Sequence, residues 1–178
     1  NGNSINGNHK FVGILVNSES TGSKGQQIIF NTIYIGGAAS SGSANTYAYK
    51  RENAILSAPN ESVVNNIFHN ARTNLGGSGK HYAVSIANNT NVANANYNVF
   101  SAEGIGGIIG EYNNTDYNTI EDWRTASGLD ANSHNATPIY LNVDGNADDI
   151  DLRLDGTKAV NANNLIGKGT YLATYTND

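Results

Sequence analysis

Two short apolar elements alternate along this chain, and their alternation limits its fold more than any other feature. The first is a small residue followed by an aliphatic one: Gly13-Ile14, Ala54-Ile55, Ala83-Val84 and Gly107-Ile108. Each opens a few residues of strand character, as in Gly13-Ile14-Leu15-Val16 or Ala83-Val84-Ser85-Ile86. The second is Asn followed closely by apolar residues: Asn31-Thr32-Ile33, Asn66-Ile67-Phe68 and Asn98-Val99-Phe100. The small-residue anchors stand 41, 29 and 24 residues apart. Such uneven spacing excludes a strict short repeat. It suits stacked units with loops of variable length, each unable to bury its apolar face alone.

Composition supports many short strands joined by tight turns. About one residue in six is Asn, and 20 residues are Gly. Asn tolerates left-handed backbone geometry better than other non-Gly residues, so it serves sharp bends. Asn stacked at one position in successive units can also hydrogen-bond along the stack. Asn31, Asn66 and Asn98 are the candidates for such a ladder. Helical spacing is confined to Tyr117–Ala126, with Asp116 or Asn118 as cap and Gly128 as stop. Only 14% of residues are charged and the net charge is −5, which disfavours nucleic acid and anionic membranes as partners. No apolar run approaches the ~18 residues of a membrane span. Cysteine and methionine are both absent. The first removes disulfides and thiolate chemistry. The second suggests a piece of a longer chain.

The carboxyl-terminal third carries the most specific pattern. It runs from Asp116-Tyr117-Asn118-Thr119-Ile120-Glu121-Asp122-Trp123-Arg124 through Pro138-Ile139-Tyr140-Leu141, Asp151-Leu152-Arg153-Leu154 and Ala159-Val160-Asn161-Ala162 to Gly167-Lys168-Gly169-Thr170. On these residues the chain resembles right-handed parallel β-helix proteins of the pectin-lyase-like superfamily. The likeness is to the extracellular repeat proteins of Bacteroidetes-type bacteria. The resemblance implies an all-β solenoid over residues 1–178, with stacked coils over 1–115. A short helix near residues 117–126 and closing strands would fill 116–178. It also implies secretion or cell-surface display and contact with polysaccharides. It does not imply catalysis, because one fold carries many functions. The expectation is a structural, adhesive or glycan-binding module, and the alternative is part of a polysaccharide lyase.

Candidate site residues follow from that pair of readings. Gly36–Glu52 reads as a long insertion ending in Tyr47-Ala48-Tyr49-Lys50-Arg51. Tyr faces stack on sugars and Arg forks carboxylates, so Tyr47, Tyr49, Arg51 and His81 are the glycan-binding candidates. A lyase needs a base and a group that neutralises an acidic sugar's carboxylate. Lys50, Arg51 and His81, with Lys80 beside them, could supply both. A hydrolase needs paired carboxylates, and the first hundred residues hold only Glu19, Glu52 and Glu61. Asp144, Asn146 and Asp148 alternate like oxygen ligands of a calcium loop, but Asp149 stands where that loop needs Gly. A plain turn fits the same residues. Unpaired strand edges at the ends of a stack invite a protein partner.

Overall fold

The computed structural model describes residues 7–17, 26–52, 61–88, 92–144 and 147–172. Strands come in short successive groups. The first holds β1 (Phe11–Val16), β2 (Gln27–Ile29), β3 (Thr32–Ile35) and β4 (Ala38–Ala39). The second holds β5 (Thr46–Arg51), β6 (Glu61–Val64), β7 (Ile67–Asn70) and β8 (Thr73–Asn74). The third holds β9 (His81–Ile86), β10 (Val92–Asn96) and β11 (Val99–Ser101). Then come β12 (Gly107–Tyr112), β13 (Thr115–Tyr117), α1 (Ile120–Ser127) and β14 (His134–Asn135). The chain continues through β15 (Tyr140–Asn142), a 3-10 turn at Ala147–Asp149, β16 (Asp151–Leu154) and α2 (Ala159–Asn164).

Corresponding strands of successive groups pair in parallel. The largest sheet has the order β1-β5-β9-β12-β13, a second β10-β6-β2, and a third β14-β11-β7-β3. Two-stranded sheets β4-β8 and β15-β16 complete the set. The separation that sets the register is 35 residues from Thr46 to His81 and from Asn31 to Asn66, 32 from Asn66 to Asn98, and 26 from His81 to Gly107. Of the anchors picked from the sequence, Ile14 and Val84 share one row, with Tyr49 between them. Ile14 lies beside Tyr49, Tyr49 beside Val84, and Val84 beside Gly110. Ile108 lies in another row, beside Tyr82. Ile55 is outside the described residues.

These sheets correct the expected fold. In place of one right-handed parallel β-helix with a single helix near residues 117–126, the described chain is mostly β. It is divided among five small sheets, two of which hold antiparallel pairs, and it carries two helices. The physical cause of the first reversal is local. Asn113 and Asn114 have φ of 50° and 60°, the left-handed pair of a tight hairpin turn, so β13 returns antiparallel to β12. Past Pro138, β15 and β16 pair with each other, again antiparallel, and join none of the larger sheets. Helix α1 begins at Ile120. Its cap is Thr119, whose side chain accepts from the Asp122 amide at 3.1 Å. Gly128, at φ 70°, ends it.

The core explains why simple alternation fails as a guide. In a regular strand, neighbours point to opposite faces. Here Ala48 and Tyr49 are successive and both enter the main core, as do Ala83 and Val84. The strand therefore bends between them. Aromatic rings then pile up inside: Tyr49 on Phe68 at 5.2 Å and Phe68 on Phe100 at 6.1 Å, with Trp123 of α1 edge-on to Phe100 at 6.2 Å. Trp123 is fully buried. It packs so closely over β12 that a Cβ on Gly110 would stand 2.3 Å from its ring. No larger residue fits there without shifting the helix.

Asn31, Asn66 and Asn98 connect the sheets' turns. The Asn66 side-chain oxygen Oδ1 accepts from the backbone amide and the side-chain amide of Asn31, both at 3.0 Å. The Asn98 oxygen accepts the same two groups of Asn66, again at 3.0 Å. Asp130 and Ser133 finish the series. Asn98 donates its side-chain amide to Asp130 Oδ1 at 3.0 Å and its backbone amide to Ser133 Oγ at 2.9 Å. Trp123 Nε1 donates to Asp130 Oδ2 at 3.0 Å, which ties the helix to this end. Burial raises the Asp130 pKa against the hydrogen bonds from Ser133, Asn98 and Trp123 that favour its charge.

Candidate functional site

The candidate residues at 47–51 lie on β5, not on a loop. Tyr47 faces outward beside Tyr82 and Ile108, in a small apolar cluster separate from the main core. Its ring stacks on Tyr82 at 5.1 Å, nearly coplanar at 8°, and the Lys50 ammonium sits 4.4 Å from its centroid. A Tyr stacked on a neighbour and approached by a cation has little face left for a sugar. Tyr49 points inward and is fully buried. Its hydroxyl donates to Glu61 Oε1, and burial, then the Glu61 charge, holds its pKa well above the ordinary tyrosine value. Arg51 is also fully buried. Its Nε donates to Glu61 Oε2 at 2.8 Å and its Nη1 to the Asn88 carbonyl at 2.6 Å. Tyr49, Arg51 and Glu61 are thus one interior network.

His81 opens β9 and is equally sealed. Nδ1 stands 2.9 Å from Thr46 Oγ1 and Nε2 stands 3.1 Å from Asn74 Oδ1. Asn74 Oδ1 can only accept, so Nε2 carries the proton and Thr46 donates to Nδ1. Burial, then the Arg72 charge, lowers the His81 pKa. This has a consequence for stability. The unfolded chain takes up a proton near pH 6.5 and the folded chain does so only lower, so stability falls as pH drops below about 6.5. Thermal melts from pH 7.5 to pH 5 should show that fall, and His81→Gln should flatten it. His134, also lowered by burial and then by Lys168 and Arg124, accounts for a residual slope. An unchanged profile in the variant would remove His81 from this role.

The surface between these residues carries a cleft of about 390 Å³. Its walls include Lys50, Glu52, Ser85, Glu111 and Asn114, with Tyr47 at one side. Lys50, Ser85 and Glu111 occupy one register row across β5, β9 and β12. Lys50 donates to Glu52 at 2.7 Å and Ser85 donates to Glu111 at 2.6 Å. Burial opposes the charge on Lys50, but the hydrogen bond to Glu52 and the nearby acids raise its pKa; the same bond lowers that of Glu52. Next to the cleft, Asp116 on β13 accepts from Lys80 at 2.5 Å and from Tyr82 at 2.9 Å. The described chain thus presents an ordered row of polar groups on rigid strands.

No family model, no curated protein and no solved structure matches this chain. The site therefore has to be read from its own chemistry.

Of the residues singled out from the sequence, Tyr47, Lys50 and Arg51 line the cleft, although the Arg51 guanidinium is engaged by Glu61 and the Asn88 carbonyl; Tyr49 and His81 are buried away from it. Sequence reasoning missed Ser85, Glu111 and Asn114, which no motif marks. Only register unites Ser85 and Glu111 with Lys50, and Asn114 comes from the turn between β12 and β13. The calcium candidates are scattered differently. Asp144 and Asp148 are exposed, and Asn146 lies outside the described residues. Among the described residues, no three His, Cys, Asp or Glu side chains are grouped as a metal would need, and no helix is long and apolar enough to cross a membrane.

Proposed function

We propose that this chain is an extracellular binding module that holds a glycan in the cleft of β5, β9 and β12 and performs no chemistry on it. The observation that carries this reading is the division of polar groups. Lys50, Ser85 and Glu111, in one register row, and Asn114 of the following turn line the cleft as hydrogen-bonding groups, while Arg51, which also lines it, is neutralised by Glu61, and His81 is buried and engaged elsewhere. Sugar hydroxyls need donors and acceptors in fixed positions, and strands fix them better than loops.

The charge balance selects among sugars. Two cations, Lys50 and Arg51, and two carboxylates, Glu52 and Glu111, line the cleft, but the Arg51 charge is already met by Glu61. An acidic uronate would meet a net negative wall, whereas a neutral or amino sugar would not. That weighs against the lyase alternative, whose substrate is acidic.

Titration calorimetry with neutral, amino and uronate oligosaccharides tests the proposal. Binding should favour the neutral or amino class, and Glu111→Gln should weaken it about tenfold or more, the worth of one hydrogen bond to a charged group. Ultraviolet absorbance should show no unsaturated product from uronate polymers. Appearance of that product, or tightest binding to uronates, would overturn the reading.

A further inference from the structure

Three sheets end on the same side of the molecule. β1, β2 and β3 are each the outermost strand of their sheet. Among the described residues no strand pairs with their outer edges. Ile14, Ile33 and Ile35 pack against the core there but stay partly exposed, while Tyr49 and Phe68, the register partners of Ile14 and Ile33, are fully buried. The opposite side is closed by α1 and by Asp130 and Ser133.

The Asn series gives this open edge a polarity. At Asn66 and at Asn98 the side-chain oxygen receives two donors, a backbone amide and an Asn side-chain amide. Asn31 is the next residue of the series, and no donor among the described residues reaches its side-chain oxygen. A second copy does not supply those donors. Edge to edge, it would set one Asn31 oxygen against another. Edge to far end, it would bring α1 and the Asp130 carboxylate.

We propose that the β1–β2–β3 edge docks an extended segment of a different polypeptide, parallel to β2 and β3, with an Asn placed over Asn31. The interface repeats one the molecule already makes twice, from Asn31 to Asn66 and from Asn66 to Asn98. Its side-chain requirements can be read from those copies. Ile28, Val63 and Ala95 stand three residues before the Asn, and Ile33, Phe68 and Phe100 stand two after it, all packed in or against the same core. The partner segment therefore carries an aliphatic residue, one unrestricted residue, a residue that adopts the left-handed conformation held by Phe30, Asn65 and Tyr97, Asn, one unrestricted residue and an apolar one. Backbone hydrogen bonds give such strand addition its affinity, and the alternate side chains give its selectivity.

The probe is a labelled, end-blocked peptide with the sequence of residues 61–70, titrated against the whole chain by fluorescence anisotropy and by amide NMR shifts. Saturable binding is expected, with shifts confined to Phe11–Val16 and Gln27–Ile35. The peptide carrying Asn66→Ala should bind about tenfold more weakly, as one lost hydrogen-bonded pair requires. Ile33→Lys in the protein should abolish binding, with an otherwise unchanged NMR spectrum showing that it folds. Three results would each overturn the proposal: no binding at roughly 1 mM peptide, equal binding of the substituted peptide, or a dimer in sedimentation velocity that Ile33→Lys dissolves.

Discussion

Asn66→Ala is expected to destabilise the fold by about 3 kcal/mol or more, with Asn31→Ala costing only about 1. The difference follows from position. Asn66 is buried, and its amide donates to the carbonyls of Ile28 at 2.8 Å and Val64 at 3.1 Å as well as to Asn98. Its oxygen takes both donors of Asn31. Truncation leaves several buried groups without partners, and each such group costs about 1–3 kcal/mol. Asn31 sits at the end of the series and is partly exposed, so water replaces part of what its side chain provides. Urea unfolding of both variants measures the gradient. Equal small effects would mean that these residues serve only as turn formers, each independent of the next.

How much of this could be read from the sequence depends on what carries the signal. Asn31, Asn66 and Asn98 stand out because each has an apolar residue two positions on, Ile33, Phe68 and Phe100, and hydrogen bonds join them. Asp130 could have been added to them, since it lies 32 residues after Asn98, the same separation as Asn66 to Asn98. The chemical change from Asn to Asp hid it. The 35-residue separation from Thr46 to His81 was missed for a similar reason. Tyr47-Ala48-Tyr49-Lys50-Arg51 is the second copy of the strand that runs through Gly13-Ile14 and Ala83-Val84, but two Tyr and two cations read as an exposed loop. Their burial depends on Glu61, ten residues beyond Arg51, and hydropathy has no means of showing a pair that neutralises itself. The helix was visible from its apolar spacing and Gly128. The return of β13 was not, because two left-handed Asn residues in an Asn-rich chain look like any other turn. The cleft was the least legible part. Its residues come from three strands and the segments that follow them, and only register unites Lys50, Ser85 and Glu111.

Arg51 offers the second large effect, and it also discriminates between the two functional readings. Removing one partner of a buried ion pair leaves a charge in the interior, so Arg51→Met should cost about 3–5 kcal/mol. Glu61 would then lose its 2.8 Å bond from Nε and keep only the Tyr49 hydroxyl as a described partner. The double variant Arg51→Met, Glu61→Gln removes both charges and leaves Tyr49 an acceptor. It should recover most of the loss, because what costs is the uncompensated charge rather than the absence of the pair. Denaturant unfolding of the wild type, both single variants and the double variant gives the coupling between the residues. If Arg51 instead served a sugar carboxylate or a reaction, as the lyase alternative requires, its loss would change ligand affinity or turnover while leaving stability within about 0.5 kcal/mol, the usual range for surface substitutions. The double variant makes the distinction sharper still. With the fold restored and Arg51 still absent, the cleft row of Lys50, Ser85 and Glu111 is intact. Glycan binding that survives in that protein places recognition on that row, and binding that vanishes returns it to Arg51, which lines the same cleft.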